Sequence, residues 1–318
     1  MDGLYYPGIR SQWISANEIL FSTSTAPKYE IQTFYRRNLK TGQQQKLPEL
    51  SKTLQAFQAN PPDYYVVSPD GKWLLTPTWQ NHYLLAEING KRHQDFPSLH
   101  IEAPRFLLWM QDSRHWLESY VVGNAHKLFL RDVENPQSVQ ELPLAGDNRL
   151  LSYLARVISL QKAISIVPPE AEEAKSPVPP AVKVCILSLE ARGKVLQEYR
   201  IPVPKRSQHN SYYVSPQGDK IAWEIVTLSS DRMGEWLQKY LPFLKVQPHN
   251  LKRTELWVCN LDGTDMHEIG CLPHPKDQEV EAFLPGRLSP DFWSIVWLPD
   301  GKQLSFEYED KLYTVPVD

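Results

Sequence analysis

Hydrophobic and polar residues alternate along this chain in short bursts, separated by corners of one recurring kind. VVSPDGKWLL (residues 66–75) is apolar, turns through Ser-Pro-Asp-Gly and becomes apolar again; YVSPQGDKIAW (213–223) and VWLPDGKQLSF (296–306) repeat it. Proline presets φ for the second position of a type I turn, Asp or Gln takes the third, and glycine accepts the left-handed conformation that follows. Each corner predicts a tight hairpin with a bulge at its glycine. Two weaker copies follow Trp13 and Trp109. In the first, Asn17 is expected to replace glycine, since Asn tolerates positive φ. In the second, Ser113 stands where glycine would be cheaper, and strain or a different turn is expected there.

Downstream of each corner runs an alternating strand: FYRRNLKTG, YLLAEINGK, LFLRDVENP, VCILSLEARG, LWVCNLDG and LYTVPVD. Such alternation marks a half-buried strand. Four of these end at Gly42, Gly90, Gly193 and Gly263, and a further short strand follows, as in QQQKLPEL, KRHQDFP, KVLQEYRIP and MHEIGCL. The unit is a four-stranded meander, repeated about six times at a period of roughly 40–60 residues. One meander cannot bury both of its faces; stacking radially around an axis does. The predicted fold is therefore all-β, one six-bladed β-propeller of four-stranded antiparallel blades spanning residues 1–318. Seven blades is the alternative, because residues 273–294 are long enough to hold a degenerate sheet. The last unit stops three strands in, and residues 4–6 are expected to pair beside residues 312–317 and close the ring, removing two sheet edges.

The motif W/V-S-P-D-G-K-x-L/I followed by L-Y/W-V-x-N/D-L-D-G resembles the TolB-like, WD-repeat-like β-propellers of bacteria. Residues 67–75, 214–223, 256–263 and 297–306 carry the resemblance. It implies a six-bladed ring, often extracytoplasmic, that binds other proteins. The motif residues are architectural, so no functional site carries over with them.

Two units depart from the pattern. The fourth, about residues 144–204, lacks the corner and carries PPEAEEAKSPVPP, which reads as an extended, mobile loop over about 168–180. The fifth carries SSDRMGEWLQKYLPFLKVQPH, a short helical insertion over about 230–247 in which Met233, Trp236, Leu237, Tyr240 and Leu241 share one face. Trp236, Tyr240 and Met233 are its candidate partner-binding residues, since buried Trp and Tyr carry interface energy. Aromatic residues also precede the innermost strands. Tyr65, Tyr213 and Trp293 either line one end of the channel and bind a partner, or fill the wedge between blades.

Composition narrows the function. Proline (27) outnumbers glycine (14), as many short strands require, and the net charge of −3 offers no basic field, so nucleic acid is not an expected partner. No apolar run reaches the roughly 18 residues of a membrane span. The start MDGLYYPGIR lacks the pattern of a signal peptide. The expected compartment is the cytoplasm, or the periplasm or beyond if an export signal has been removed. Cys185, Cys259 and Cys271 suit buried positions on strands better than a zinc or disulfide framework.

No metalloprotease, nucleophile-elbow, phosphate-loop or dinucleotide motif is present. His93 with His100, and His267 with His274, read as solvated. The leading expectation is a non-catalytic, monomeric scaffold that binds protein or peptide and needs no cofactor. The alternative is a propeller enzyme, a hydrolase or lyase, with carboxylates and histidines assembled at the channel mouth, where calcium is the metal that would fit.

Overall fold

The computed structural model describes residues 12–25, 30–57, 65–78, 81–100, 104, 106–122, 125–144, 150–151, 153–169, 180–203, 207–229, 236, 239–240, 251–272, 293–308 and 311–317. Among them the strands form six antiparallel sheets. Blade 1 holds β1 (Gln12–Ser15), β2 (Glu18–Thr25), β3 (Glu30–Asn38) and β4 (Gln44–Leu47), and is followed by helix α1 (Pro48–Ala56). Blade 2 holds β5 (Val66–Val67), β6 (Trp73–Pro77), β7 (His82–Glu87) and β8 (His93–Pro97). Blade 3 holds β9 (Phe106–Trp109), β10 (His115–Val122), β11 (Ala125–Asp132) and β12 (Asn135–Leu142). Blade 4 holds β13 (Leu154–Ser159), β14 (Lys162–Val167), β15 (Ala181–Ser188) and β16 (Lys194–Pro202). Blade 5 holds β17 (Ser207–Val214), β18 (Lys220–Ser229), β19 (Leu251–Asn260) and β20 (His267–Leu272). Blade 6 holds β21 (Trp293–Trp297), β22 (Gln303–Tyr308) and β23 (Lys311–Pro316). Among the described residues this is the predicted six-bladed propeller; residues 273–292, most of the stretch where a seventh sheet was the alternative, lie outside them. Residues 4–6, expected beside β23, lie outside the described residues.

The first strand of each blade is axial: β1 lies against β5, β5 against β9, β9 against β13, β13 against β17, and β17 against β21. The ring closes through side chains. Trp13 on β1 donates its indole N–H to Ser305 Oγ of blade 6 at 2.6 Å and clusters with Leu298. The same reach to the preceding blade recurs where an axial strand ends in tryptophan: Trp109 donates to the Val66 carbonyl (3.4 Å) and Trp297 to the Tyr213 carbonyl (2.7 Å).

The corners fold as their residues dictate. The amides of Gly71, Gly218 and Gly301 donate to the carbonyls of Ser68, Ser215 and Leu298 at 2.9–3.0 Å, and all three glycines have positive φ. Corners also touch their neighbours. A Cβ on Gly71 would stand 2.3 Å from the Ile14 carbonyl oxygen, so glycine is required there twice over. Ser113 takes φ +57°, the expected strain, and its hydroxyl accepts the Asp70 amide of the adjacent corner at 2.9 Å. Asn17 corrects its expectation. It is absent from the positive-φ residues: Ser15 and Glu18 pair across the two-residue turn Ala16-Asn17, and the irregularity of this hairpin falls on the strand before the turn, between Trp13 and Ser15.

A second correction concerns QQQKLPEL, which leaves the sheet at Leu47 and becomes α1. Pro48 sits in its first turn, where proline's fixed φ suits a helix. Leu50 and Leu54 are buried with Phe34, Tyr65 and Leu84 in the wedge between blades 1 and 2. Ser51 Oγ accepts the Phe34 amide at 2.8 Å and donates to the Leu47 carbonyl at 2.8 Å, tying the helix to β3. Cys185 and Cys259 are buried as expected, whereas Cys271 is exposed.

Candidate functional site

In an antiparallel meander the corners and the third-to-fourth-strand turns share one end of the ring. The β10–β11, β14–β15 and β18–β19 loops open at the other. Both long insertions are therefore anchored at the end opposite the corners: the Pro/Glu-rich loop between Val167 and Ala181, the helical one between Ser229 and Leu251. β18 and β19 stay paired to their last residues, Ser229 against Leu251, so the ends of the helical insertion are held side by side.

Trp236, Lys239 and Tyr240 are helical. Trp236 and Tyr240 are one helical turn apart and 54% and 57% exposed, and their ring centroids lie 5.5 Å from each other at 40°. Lys239 Nζ sits 5.2 Å from the Tyr240 centroid, in cation–π range. Met233, and the rest of the expected apolar face, lie outside the described residues. Other exposed apolar side chains stand toward the same end of neighbouring blades. Val121 and Val122 are the last residues of β10, and Tyr153 precedes β13.

The aromatic residues ahead of the axial strands fare differently. Tyr65 is 5% exposed and meets Phe34 edge-on at 5.6 Å, so it fills the wedge between blades instead of facing a partner. Tyr213 is partly buried against the core of blades 5 and 6. Trp293 pairs with Glu307 through the backbone, and its side chain lies outside the described residues.

Sequence reasoning missed a buried polar cluster at the junction of blades 2 and 3. Glu118 on β10 is fully buried. It accepts the Trp116 indole N–H (3.1 Å) and the Tyr120 hydroxyl (3.0 Å). Arg131 Nε stands 2.6 Å from Glu118 Oε1, though its N–H is not aimed along that line. The rest of this guanidinium donates to the carbonyls of Pro136 and Pro97 and lies 4.8 Å above the Phe96 ring. Ser98 Oγ and the Tyr120 hydroxyl are 3.2 Å apart. Burial, reinforced by Tyr120 and Glu118, holds the Tyr83 phenol far above its ordinary range; burial and then Glu118 raise Tyr120. These donors fix the Glu118 side chain against its neighbours, and the phenols stay protonated. The signal in HWLESYVV was one carboxylate two residues from an indole and two from a phenol, so that all three share a strand face.

Among the described residues no group of three or more His, Cys, Asp and Glu is placed to hold a metal ion, and no helix is long and apolar enough to cross a membrane. His93 is exposed and lies edge-on to Phe57, and His100 is partly buried against Tyr120 at 4.6 Å.

No protein-family model matches the chain, and no curated protein does. Solved structures do. The chain resembles TolB. It is 12% identical to a putative TolB from Agrobacterium tumefaciens, with 86% of this chain and 82% of that one covered and a TM-score of 0.39. The β-propeller domain of Cps50 from Myceliophteria thermophila is 10% identical over 100% of this chain and 99% of its own, with a TM-score of 0.46. An oligogalacturonate lyase from Vibrio parahaemolyticus is 9% identical over 100% and 99%, with a TM-score of 0.49. Likenesses this distant transfer no residue and no activity; the six blades stand on their own strand pairing.

Proposed function

We propose that this propeller is a non-catalytic, monomeric scaffold that binds a protein or peptide at the end of the ring opposite its corners, across blades 3 to 5. The observation that carries the reading is the Trp236–Tyr240 pair, two large rings left more than half exposed on a helix projected from β18 and β19. Rings of this kind are amphipathic, rigid and costly to leave in water, and they dominate binding energy when a partner covers them. Val121, Val122 and Tyr153 extend the apolar surface on neighbouring blades.

The test is photo-cross-linking in the native cell. A photoreactive residue at position 236 is expected to yield a discrete protein adduct, and one at Lys72, beside a corner, is expected to yield none. Tyr240→Ala should reduce the adduct from position 236. No adduct from 236, or the same adducts from 236 and 72, would overturn the proposal.

A further inference from the structure

Blade 6 differs from the other five at its rim. Among the described residues it has three strands, and β23 stands at its outer edge where the other blades carry a fourth. Exposure registers the difference. Among the described residues the third strands β7, β11, β15 and β19 hold no exposed residue and β3 holds one, Arg36, whereas β23 holds Tyr313 (39%), Thr314 and Pro316. The end of β23 is nevertheless built like its siblings. The Val317 amide donates to the Lys302 carbonyl at 3.2 Å, as Ile88 does to Lys72, Leu189 to Leu160 and Leu261 to Asp219 at 2.7–2.8 Å. In those three blades the fourth strand then begins at His93, Lys194 and His267. Blade 6 is folded up to the turn that leads into a fourth strand.

A fourth strand starts at the corner end, runs to the opposite end and crosses to the axial strand of the next blade. For blade 6 the next blade is blade 1, whose axial strand begins at Gln12. The stretch before Gln12 therefore holds the place that β8, β12 and β16 hold before β9, β13 and β17. Residues 1–11 lie outside the described residues, and their sequence is MDGLYYPGIRS. Its LYYP matches the ends of two fourth strands, QDFP in β8 and YRIP in β16. In both, the proline stands opposite the first residue of the third strand: Pro97 opposite His82, Pro202 opposite Ala181. Four residues separate Pro202 from Ser207, and four separate Pro7 from Gln12.

We propose that residues 3–7 occupy the outer edge of β23 as the fourth strand of blade 6, with Pro7 opposite Lys311, Tyr5 opposite Tyr313 and Gly3 opposite Val315. The sequence alone set residues 4–6 beside 312–317; the sibling blades fix which residue meets which. Tyr6 then stands opposite Leu312, which packs with Trp13, Ile19 and Phe21 of blade 1. That is the place of Phe96 in blade 2, fully buried and 5.8 Å from the ring of its cross-strand partner Tyr83. Tyr5 joins Tyr313 on the opposite face, where Tyr313 stacks on Phe306 at 5.6 Å and 14°. Aromatic cross-strand pairs of this kind stabilise a sheet, and a filled edge no longer offers a template to foreign strands. The contact is separate from the surface of Trp236 and Tyr240, and either can fail without the other.

The first measurement is hydrogen exchange of the full chain, resolved to single residues, at low protein concentration. An edge strand bonds only the alternate amides that face its one neighbour, whereas a paired strand bonds them all. Protection is expected at every residue from Leu312 to Val315. Tyr6→Pro, which cannot pair within a strand, should speed exchange at alternate residues only. The second measurement is thiol cross-linking of the full chain with Cys271→Ser. Tyr5→Cys with Tyr313→Cys should be bridged within one chain by a linker of about 5 Å, the separation of directly opposite Cβ atoms. Tyr6→Cys with Tyr313→Cys lies on opposite faces and should react at least about tenfold more slowly, since a slip of one residue flips the side chain. Alternating protection in the unaltered chain would overturn the proposal, as would equal reaction of the two pairs. Bridges joining two chains would overturn it too, because a second copy would then supply the strand.

Discussion

Two arginines lie inside neighbouring blades, and one of them has a counter-charge. Arg131, in blade 3, is buried against Glu118, two backbone carbonyls and the Phe96 ring. Arg156, in blade 4, is partly buried and has no acceptor among the described residues. A blade interior tolerates charge when donors and acceptors are matched within it, and the charge then belongs to the fold. A cation without a matched partner adds no ion pair to the fold.

The largest expected effect tests the matched half of that contrast. Glu118→Gln leaves Arg131 buried without its counter-ion, and a loss of about 3–5 kcal/mol is expected from the denaturation midpoint. Replacing both partners, Glu118→Leu with Arg131→Met, should recover much of it, because the uncompensated charge is gone. If Glu118→Gln costs no more than Arg156→Met, the two arginines are not different in kind.

The corners give the next effect. Gly71→Ala combines a positive φ of +69° with overlap on the Ile14 carbonyl, and backbone strain alone costs about 1–3 kcal/mol. Ser113→Gly should be near neutral, within about 1 kcal/mol, since relief of strain is offset by loss of the Asp70–Ser113 hydrogen bond. Both are read from thermal unfolding. Equal costs at the two positions would show that contact between corners is unimportant.

Cysteine reactivity separates interior from surface without altering stability. Cys271 is exposed, while Cys185 and Cys259 are buried, and burial pushes the Cys259 thiol up to about 11. Alkylation at pH 8 followed by intact mass is expected to show one adduct in the native protein and three after denaturation. Rapid labelling of Cys259 in the native state would mean that blade 5 opens readily.

The smallest effect is the acid limb of stability. The Arg114 guanidinium, 2.6–2.9 Å from Asp132, holds that carboxyl below its ordinary 3.8. A depressed carboxyl stabilises the fold fully above its unfolded value, and the increment is lost as pH falls through the folded one. Asp132→Asn should therefore be slightly less stable at neutral pH, with the gap closing below about pH 4. A gap that persists in acid would point to packing instead of charge. Asp132 is on the exposed rim, and salt should weaken the effect.

What could be read from the chain was what acts within a few residues. Pro, Asp and Gly shape a corner among themselves, so three hairpins and the meander they punctuate were legible, and with them the blade count. The helical character at Trp236 and Tyr240 was legible for the same reason, from spacing along one face. Asn17 was misread because a turn of two residues and one with a bulge differ only in how Ser15 and Glu18 meet across it. Helix α1 was misread because QQQKLPEL alternates well enough for a strand, and only the gap between blades 1 and 2 makes Leu50 and Leu54 more valuable in a helix. Glu118 and Arg131 are thirteen positions apart, Trp13 and Ser305 nearly the whole chain apart. Pairings at such distances depend on which strands become neighbours and which faces are buried. Local residue chemistry settled the strands and turns of this protein; packing of one blade against the next decided which charges are matched and which are left open.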